Sequence, residues 1–403
     1  MEPIATPISR RNMLRIAGGT AGVTGLVGAS LLSGSGLLVP TYAAPSKRVR
    51  AELDRTSYRA GQRMTLRIHE ELKQGREIRV KDSTGLRWKR VSRSGTRQVW
   101  TARADWPGTA TVTVVAVRAD GRPFRDREFR DRVVYRVKGG GAPLIGMSAP
   151  AGVWAQRLSE VGPGVAARRI FADLAKGPTS EIRRVEEAHA AGMLPVISYK
   201  VGGDIEGAVN GRYNAVAEQA AAKLASYGLP TAVAFWHEPH NDMTTDQYVA
   251  ASKQLLPVFK RGELRVGPIL NGFLLDTERL RATWDKYCPD DLFEIWDWVG
   301  LDTYQMGSLS APGKRNPADR IYALSAYVKA RGYADKPLGV GEYNAFSAEA
   351  IAATGEALLS TPNVWFGCVW NSKLERDYVL TGDRLAAFQQ TLADSRSAEP
   401  RQH

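Results

Sequence analysis

From Leu144 onward the chain alternates between short apolar runs and longer amphipathic stretches, and this rhythm constrains the fold more than any other feature. The apolar runs stand at 144–148, 168–171, 194–199, 231–236, 264–270, 298–304, 337–341 and 364–370. Runs this short and this apolar read as strands of a parallel sheet covered on both faces. Between them, 181–191, 215–227, 246–259, 317–330 and 348–359 carry apolar residues at helical spacing. Eight strands, mostly separated by helices over about 250 residues, predict an α/β fold of the (β/α)8 (TIM) barrel type across 144–393. A doubly wound open sheet is the competing architecture. No Gly-x-Gly-x-x-Gly follows the first strand, which removes the usual dinucleotide site.

Residues 44–138 follow another rule. Segments 49–53, 64–68, 77–80, 97–102, 109–117 and 132–137 alternate or run β-branched, and glycines punctuate them about every ten residues. That spacing predicts a small all-β module, an immunoglobulin-like sandwich, although a barrel of similar size gives the same pattern. Gly139, Gly140, Gly141, Ala142 and Pro143 form a flexible joint and mark the boundary between the two regions. The tail 394–403, rich in Ser, Arg, Glu and Gln, is expected to be disordered.

Charge is divided unevenly. The chain of 403 residues carries a formal charge of +13. Residues 44–142 hold 25 basic and 11 acidic side chains, whereas 143–403 hold 27 and 30. The barrel region is therefore nearly neutral, and the excess points to a tether that grips an anionic cell-wall polymer through the β-module. A solvated arginine-rich surface is the plainer alternative. No helix-turn-helix, zinc-finger or aromatic-tagged strand signature accompanies the charge, so nucleic acid is not expected as a partner. Cys288 and Cys368, the two cysteines, lack metal-site spacing and read as separate buried thiols, although an oxidising exterior would tolerate a bridge.

Residues 1–43 read as an address. Arg10 and Arg11 precede an apolar stretch diluted by Gly and Ser, and small residues follow at Ala43 and Ala44. The pattern resembles a twin-arginine signal peptide, which implies an exported protein, released or held at the wall. The stretch is too weakly apolar for a transmembrane anchor.

The chemistry is expected at the carboxyl ends of the strands, where a barrel of this kind places it. Glu238 and Glu342 each follow directly on a buried apolar run, where a carboxylate has no packing purpose. Strands four and seven face each other across a barrel mouth, so the two groups can flank one bond. Paired carboxyls, one protonated and one ionised, are what glycoside hydrolysis requires. The structural alternative is that each glutamate pairs with a nearby Arg or Lys to hold loops.

Trp236, His237 and Glu238, together with Val340, Gly341, Glu342 and Tyr343, resemble glycoside hydrolases of clan A. A histidine before the first glutamate resembles family 26, best known for endo-β-1,4-mannanases. Asp302, Thr303 and Tyr304 look like the segment whose tyrosine bonds the nucleophile, and Trp370 looks like the aromatic floor of the sugar site. The resemblance covers about 143–390. It implies Glu238 as the acid–base, Glu342 as the nucleophile of a retaining β-glycosidase or endo-β-glycanase, and no cofactor. Two departures stand out: Pro239, His240, Asn241 and Asp242 replace the usual residues after His-Glu, and Tyr199 and Lys200 end strand three. These positions read hydroxyl orientation, so the glycan is left open between β-mannan and another β-linked polysaccharide. A non-catalytic carbohydrate-binding or cell-wall-binding protein on the same scaffold is the alternative.

Further substrate contacts are expected from Trp154, Trp236 and Trp370 by stacking, from His237 as an orienting or hydroxyl-binding group, and from Asn241 and Asn344 beside the strand ends. His240, Asn241 and Asp242 could approach a metal with Glu238, but Pro239 makes the geometry poor and no metal is expected.

Overall fold

The computed structural model describes residues 48–59, 62–72, 76–84, 86–104, 108–138, 142–373 and 377–400. Residues 1–43, which the sequence analysis reads as a signal, most of the glycine joint (139–141) and the last three residues lie outside these.

Among its described residues the first region contains eight strands: β1 (Val49–Leu53), β2 (Ser57–Arg59), β3 (Arg63–Glu70), β4 (Glu77–Asp82), β5 (Lys89–Ser94), β6 (Arg97–Arg103), β7 (Gly108–Val117) and β8 (Arg130–Lys138). They form two four-stranded sheets, ordered β1-β3-β6-β5 and β2-β8-β7-β4. All pairs are antiparallel except β2 with β8. In β3, Met64, Leu66 and Ile68 are buried while Arg63 and Arg67 are exposed, the alternation of a sheet wet on one face. Those three residues share an apolar cluster with Val112, Val114, Tyr135 and Val137 of the other sheet. Asp82 organises this core, accepting bonds from Trp88 Nε1 (3.0 Å) and Tyr135 Oη (2.8 Å).

The second region has nine parallel strands: β9 (Leu144–Ser148), β10 (Ala167–Asp173), β11 (Leu194–Lys200), β12 (Thr231–Phe235), β13 (Leu264–Val266), β14 (Ile269–Asn271), β15 (Val299–Tyr304), β16 (Leu338–Asn344) and β17 (Val364–Trp370). The hydrogen-bonded order runs β13-β12-β11-β10-β9-β17-β16-β15-β14, so first and last strands pair and the sheet curls round. Its two ends, β13 and β14, are halves of one run interrupted at Gly267 and Pro268. Pro268 has no N–H for a ladder, and a Cβ on Gly267 would lie 2.4 Å from the Trp298 ring. Counting that run once gives eight strand positions around a ring.

Among the described residues, ten helices accompany the strands: α1 (Trp154–Val161), α2 (Ile182–Ala190), α3 (Ile205–Val209), α4 (Asn214–Ser226), α5 (Thr245–Leu255), α6 (Glu278–Tyr287), α7 (Asp290–Ile295), α8 (Pro317–Ala330), α9 (Ala348–Ser360) and α10 (Gly382–Ala393). Their starts are chemically marked. Thr244 and Gln247 form a reciprocal capping box on α5, and Asn316 followed by Pro317 opens α8. No helix among the described residues is long and apolar enough to cross a membrane.

Alternation along each strand sorts residues between the inside of the ring and the helix layer. In β10, Arg168 reaches Glu187 of α2 at 3.0 Å, whereas Arg169 and Phe171 turn inward. The lower interior is filled by Leu144, Ala167, Leu194, Ala232, Trp298 and Phe366. Above them, polar side chains replace apolar ones: Ser148, Ser198, Asn271, Asp302 and Glu342 are all buried.

Two expectations are corrected. Residues 394–400 are held against the barrel rather than disordered, because Arg396 bridges Glu356 and Asp394, and Ala398 N–H donates to Pro143 O at 3.0 Å. Strands β2 and β5 also arise where none was read; all six residues of β5 are exposed, so no apolar alternation announces it. Both cysteines are buried and free.

Candidate active site

The end of β12 is conformationally unusual. Trp236, Glu238 and Asn241 take left-handed backbone angles, with φ of 49°, 51° and 74°. Such conformations cost about 1–3 kcal/mol each for non-glycine residues and gather where geometry matters more than stability. They are held in place by Trp236 N–H donating to Tyr199 O and Glu238 N–H donating to Ile269 O, both 2.9 Å. The turn lifts Glu238, half-buried, over the mouth of the ring.

Glu342 lies within β16, not after it, and is 6% exposed. Tyr304 Oη, at the end of β15, donates to its Oε2 at 2.5 Å. Ser148 Oγ, at the end of β9, donates to its Oε1 at 3.0 Å. Two hydroxyl donors, one on each oxygen, suit a carboxylate rather than a carboxylic acid. The Tyr304 hydroxyl is itself held neutral, since burial and then the charges of Glu342, Asp302 and Glu238 push its pKa well above the ordinary value.

Beside Glu342 is a third carboxyl that the sequence reading left without a role. Asp302 pairs in register with Glu342, just past a β-bulge at Leu301, and is 2% exposed. Neither of its oxygens meets a hydrogen-bond partner of good geometry. Burial, reinforced by the Glu342 and Glu238 charges, raises its pKa well above the carboxylate range, with Arg169 opposing. In this carboxyl cluster, burial and the neighbouring acids favour the protonated form of Asp302. The same effects show that Glu238, Glu342, Asp302 and Tyr304 share one electrostatic environment.

His237 is tied by Nδ1 to Ser198 Oγ at 3.0 Å, and its ring meets Phe171 edge-on at 5.0 Å. Burial, then the charges of Arg169 and Lys200, hold its pKa well below the ordinary value, so the imidazole is neutral. Trp370 ends β17 half-buried, with Phe171 against its edge at 6.1 Å. His237, Phe171 and Trp370 are therefore linked by edge-on ring contacts.

Three expected contacts are placed otherwise. Trp236 is 4% exposed, its indole N–H goes to Asp242 Oδ2 at 2.8 Å, and the Lys200 ammonium lies 4.8 Å from its ring centre. With no face open, it supports the turn rather than stacking on a ligand. Trp154 lies against the outward-facing Arg168, 4.2 Å from its guanidinium, in the helix layer and not the mouth. Asn344 is fully buried, and its amide donates to Trp370 O (2.5 Å) and Tyr378 O (2.8 Å), so it anchors the segment after β17. Asn241 is exposed in its left-handed turn. His240 N–H donates to Asn271 Oδ1 at 3.0 Å and its ring meets Phe273 at 5.4 Å. Ser148, Phe171, Arg169, Ser198 and Asp302 were missed or left without a role, and the signal that finds them is inward alternation at the upper ends of the strands.

No family model and no curated protein matches the chain. Among solved structures, it is similar to a β-glucuronidase from Ruminococcus gnavus, at 10% identity over 85% of this chain and 67% of that one, with a TM-score of 0.44. It is also similar to Cel5A of Thermotoga maritima, at 13% identity over 61% and 98%, with a TM-score of 0.45. A family 128 endo-β-1,3-glucanase from Amycolatopsis mediterranei aligns at 16% identity over 62% and 100%, with a TM-score of 0.36. Since all three scores fall below 0.5, the chemistry of this chain is read from its own residues.

Proposed function

We propose that the chain is an exported glycoside hydrolase that cleaves a β-linked polysaccharide with retention of configuration. In this reading residues 144–393 are a (β/α)8 hydrolase domain. Residues 44–138 are an immunoglobulin-like module joined through 139–143, and 1–43 are a twin-arginine-type signal. The observation that carries the proposal is Glu342, buried and with a hydroxyl donor on each oxygen, sharing its electrostatic environment with Glu238.

In the first step the Glu238 carboxyl gives its proton to the glycosidic oxygen while a Glu342 oxygen attacks the anomeric carbon. The leaving sugar departs as an alcohol and the remaining glycosyl group is bound as an ester on Glu342. In the second step Glu238, now a carboxylate, removes a proton from water, whose oxygen attacks the same carbon and frees Glu342. Two inversions restore the β-configuration. Trp370 and Phe171 offer apolar surface to a pyranose ring, and neutral His237 can bond a hydroxyl without adding charge. His237 directly before Glu238 supports a family-26-like relationship. Lys200, held by Asp242 at 3.1 Å, stands where that family reads its sugar, so the glycan need not be mannan.

The test is activity of the wild type, Glu238→Ala and Glu342→Gln on mannan, mixed-linkage glucan, xylan and a bacterial exopolysaccharide, with the first-formed anomer read by NMR. Loss of about 10²–10⁴-fold in both variants, with the β-anomer first, is expected. Full activity of Glu238→Ala, or an α-anomer formed first, overturns the assignment.

A further inference from the structure

We infer that the outer face of the β1-β3-β6-β5 sheet is a binding track for a polyanionic polysaccharide, bearing carboxylate or phosphate groups. The register places its cations. Arg50 lies across from His69, and His69 across from Arg97, making one row over three adjacent strands. Two residues along, Arg67 stands between Glu52 and Val99; six along, Arg63 faces Arg103. At about 3.4 Å per residue, the rows from Arg97 to Arg103 span roughly 20 Å. That is the length of several repeat units of a polymer and far more than a single small anion needs. The side chains of Arg50, Arg67 and Arg97 open on a shallow groove of about 710 Å³.

Three features separate this face from an ordinary solvated surface. Arg50, Arg63, Arg67 and Arg97 are exposed and form no ion pair with a carboxylate among the described residues; Glu52 faces the same way, and Asp131 also lines the groove, accepting from Ala51 N–H at 2.8 Å. Three other acids of the module are engaged elsewhere: Asp82 in the core, Glu70 with Arg93, and Asp54 with Tyr58. Second, Arg63 stands directly across from Arg103, a like-charged pairing that sheets ordinarily avoid. Third, guarding an exposed edge does not account for them. The edge role falls to β5, with Lys89, Arg90 and Arg93, whereas Arg63, Arg67, Arg97 and Arg103 stand on the two interior strands. Beyond His69 no aromatic ring faces outward from these rows to stack a base, which favours a glycan over single-stranded nucleic acid.

The inference is independent of the catalytic reading and is tested by binding. The full chain is titrated with polygalacturonate, poly(glycerol phosphate), neutral β-glucan and duplex DNA at several salt concentrations. Two triple variants are compared: Arg50→Ala/Arg67→Ala/Arg97→Ala on this face, and Arg59→Ala/Lys81→Ala/Arg132→Ala on the opposite sheet, which removes the same charge. Expected are salt-sensitive binding of at least one polyanion, no binding of the neutral glucan, and about a tenfold loss confined to the first variant. Which polyanion binds distinguishes carboxylate from phosphate polymers. Equal losses in both variants would show that only net charge matters, and tighter binding of DNA would assign the face to nucleic acid; either overturns the inference. Unchanged thermal unfolding of both variants shows that the fold is intact.

Discussion

Replacing Tyr304 by phenylalanine probes the site with the least disturbance. The ring remains to pack against Tyr378, 5.3 Å away, and only the hydroxyl that donates to Glu342 is lost. A hydrogen bond to a charged group contributes about 1.5–3 kcal/mol. The upper part of that range applies here because the bond is short and Glu342 is nearly excluded from water. At about 1.4 kcal/mol per tenfold change, kcat/KM should fall by roughly 40- to 140-fold near neutrality. The sign of the pH effect follows from the same bond. The hydroxyl favours the carboxylate, so its loss makes the carboxylate easier to protonate, and the acidic limb of kcat/KM should move to higher pH by about one to two units. The assay is the pH profile of kcat/KM on the best β-glycan, with thermal unfolding as the check on folding. Activity within twofold of wild type and an unmoved acidic limb would refute the role given to Tyr304 and weaken that of Glu342. Ser148→Ala, which removes the longer 3.0 Å bond, should show the same shift at smaller size.

Other substitutions separate structure from chemistry. Asp302 keeps its proton in the folded state but loses it when unfolded, so stability should decline as pH rises through the window above the ordinary carboxylate range. Asp302→Asn removes this dependence; its stability advantage by urea unfolding should grow from pH 4 to pH 7, by up to about 1.4 kcal/mol per pH unit, and a constant difference would count against a neutral Asp302. Asn344→Ala leaves the Trp370 and Tyr378 carbonyls without their donor and should cost about 1–3 kcal/mol in unfolding free energy. If it lowers affinity for oligosaccharides with stability untouched, Asn344 is a ligand contact after all. Trp370→Ala should raise KM on oligosaccharides about threefold to tenfold, from a lost stacking contribution of about 0.5–1.5 kcal/mol, while changing kcat less. An unchanged KM places the sugar elsewhere.

The strands of the barrel were legible because most of them are apolar on both faces over most of their length, and all eight runs correspond to observed strands. Glu238 and Glu342 stood out for the complementary reason, as acids where packing has no use for them. What escaped was of two kinds. Residues such as Ser148 and Asp302 are marked only by which side of a strand they face, and that depends on register and on bulges such as the one at Leu301. Trp154, Trp236 and Asn344 stand close in sequence to strand ends, yet the partner of each comes from outside its own strand end: Arg168, Asp242 and Tyr378. Proximity along the chain placed them in the mouth; three-dimensional partners placed them around it. Lone small cues, such as the all-exposed β5, are legible only once the neighbouring strands are known.

The two regions meet where strand position five begins. Arg265 reaches Thr109 O at 3.4 Å, and Glu263, its carboxyl pKa raised by burial, lies against Ser83. Glu238 and Glu342 stand at the other ends of their strands, so the length of the barrel separates them from the module. On the two proposals made above, polymer held by the module and polymer in the cleft would be distant stretches or different molecules. Anchoring of this kind changes how often the cleft meets a chain, a matter of effective concentration, and leaves the affinity of each sugar position untouched.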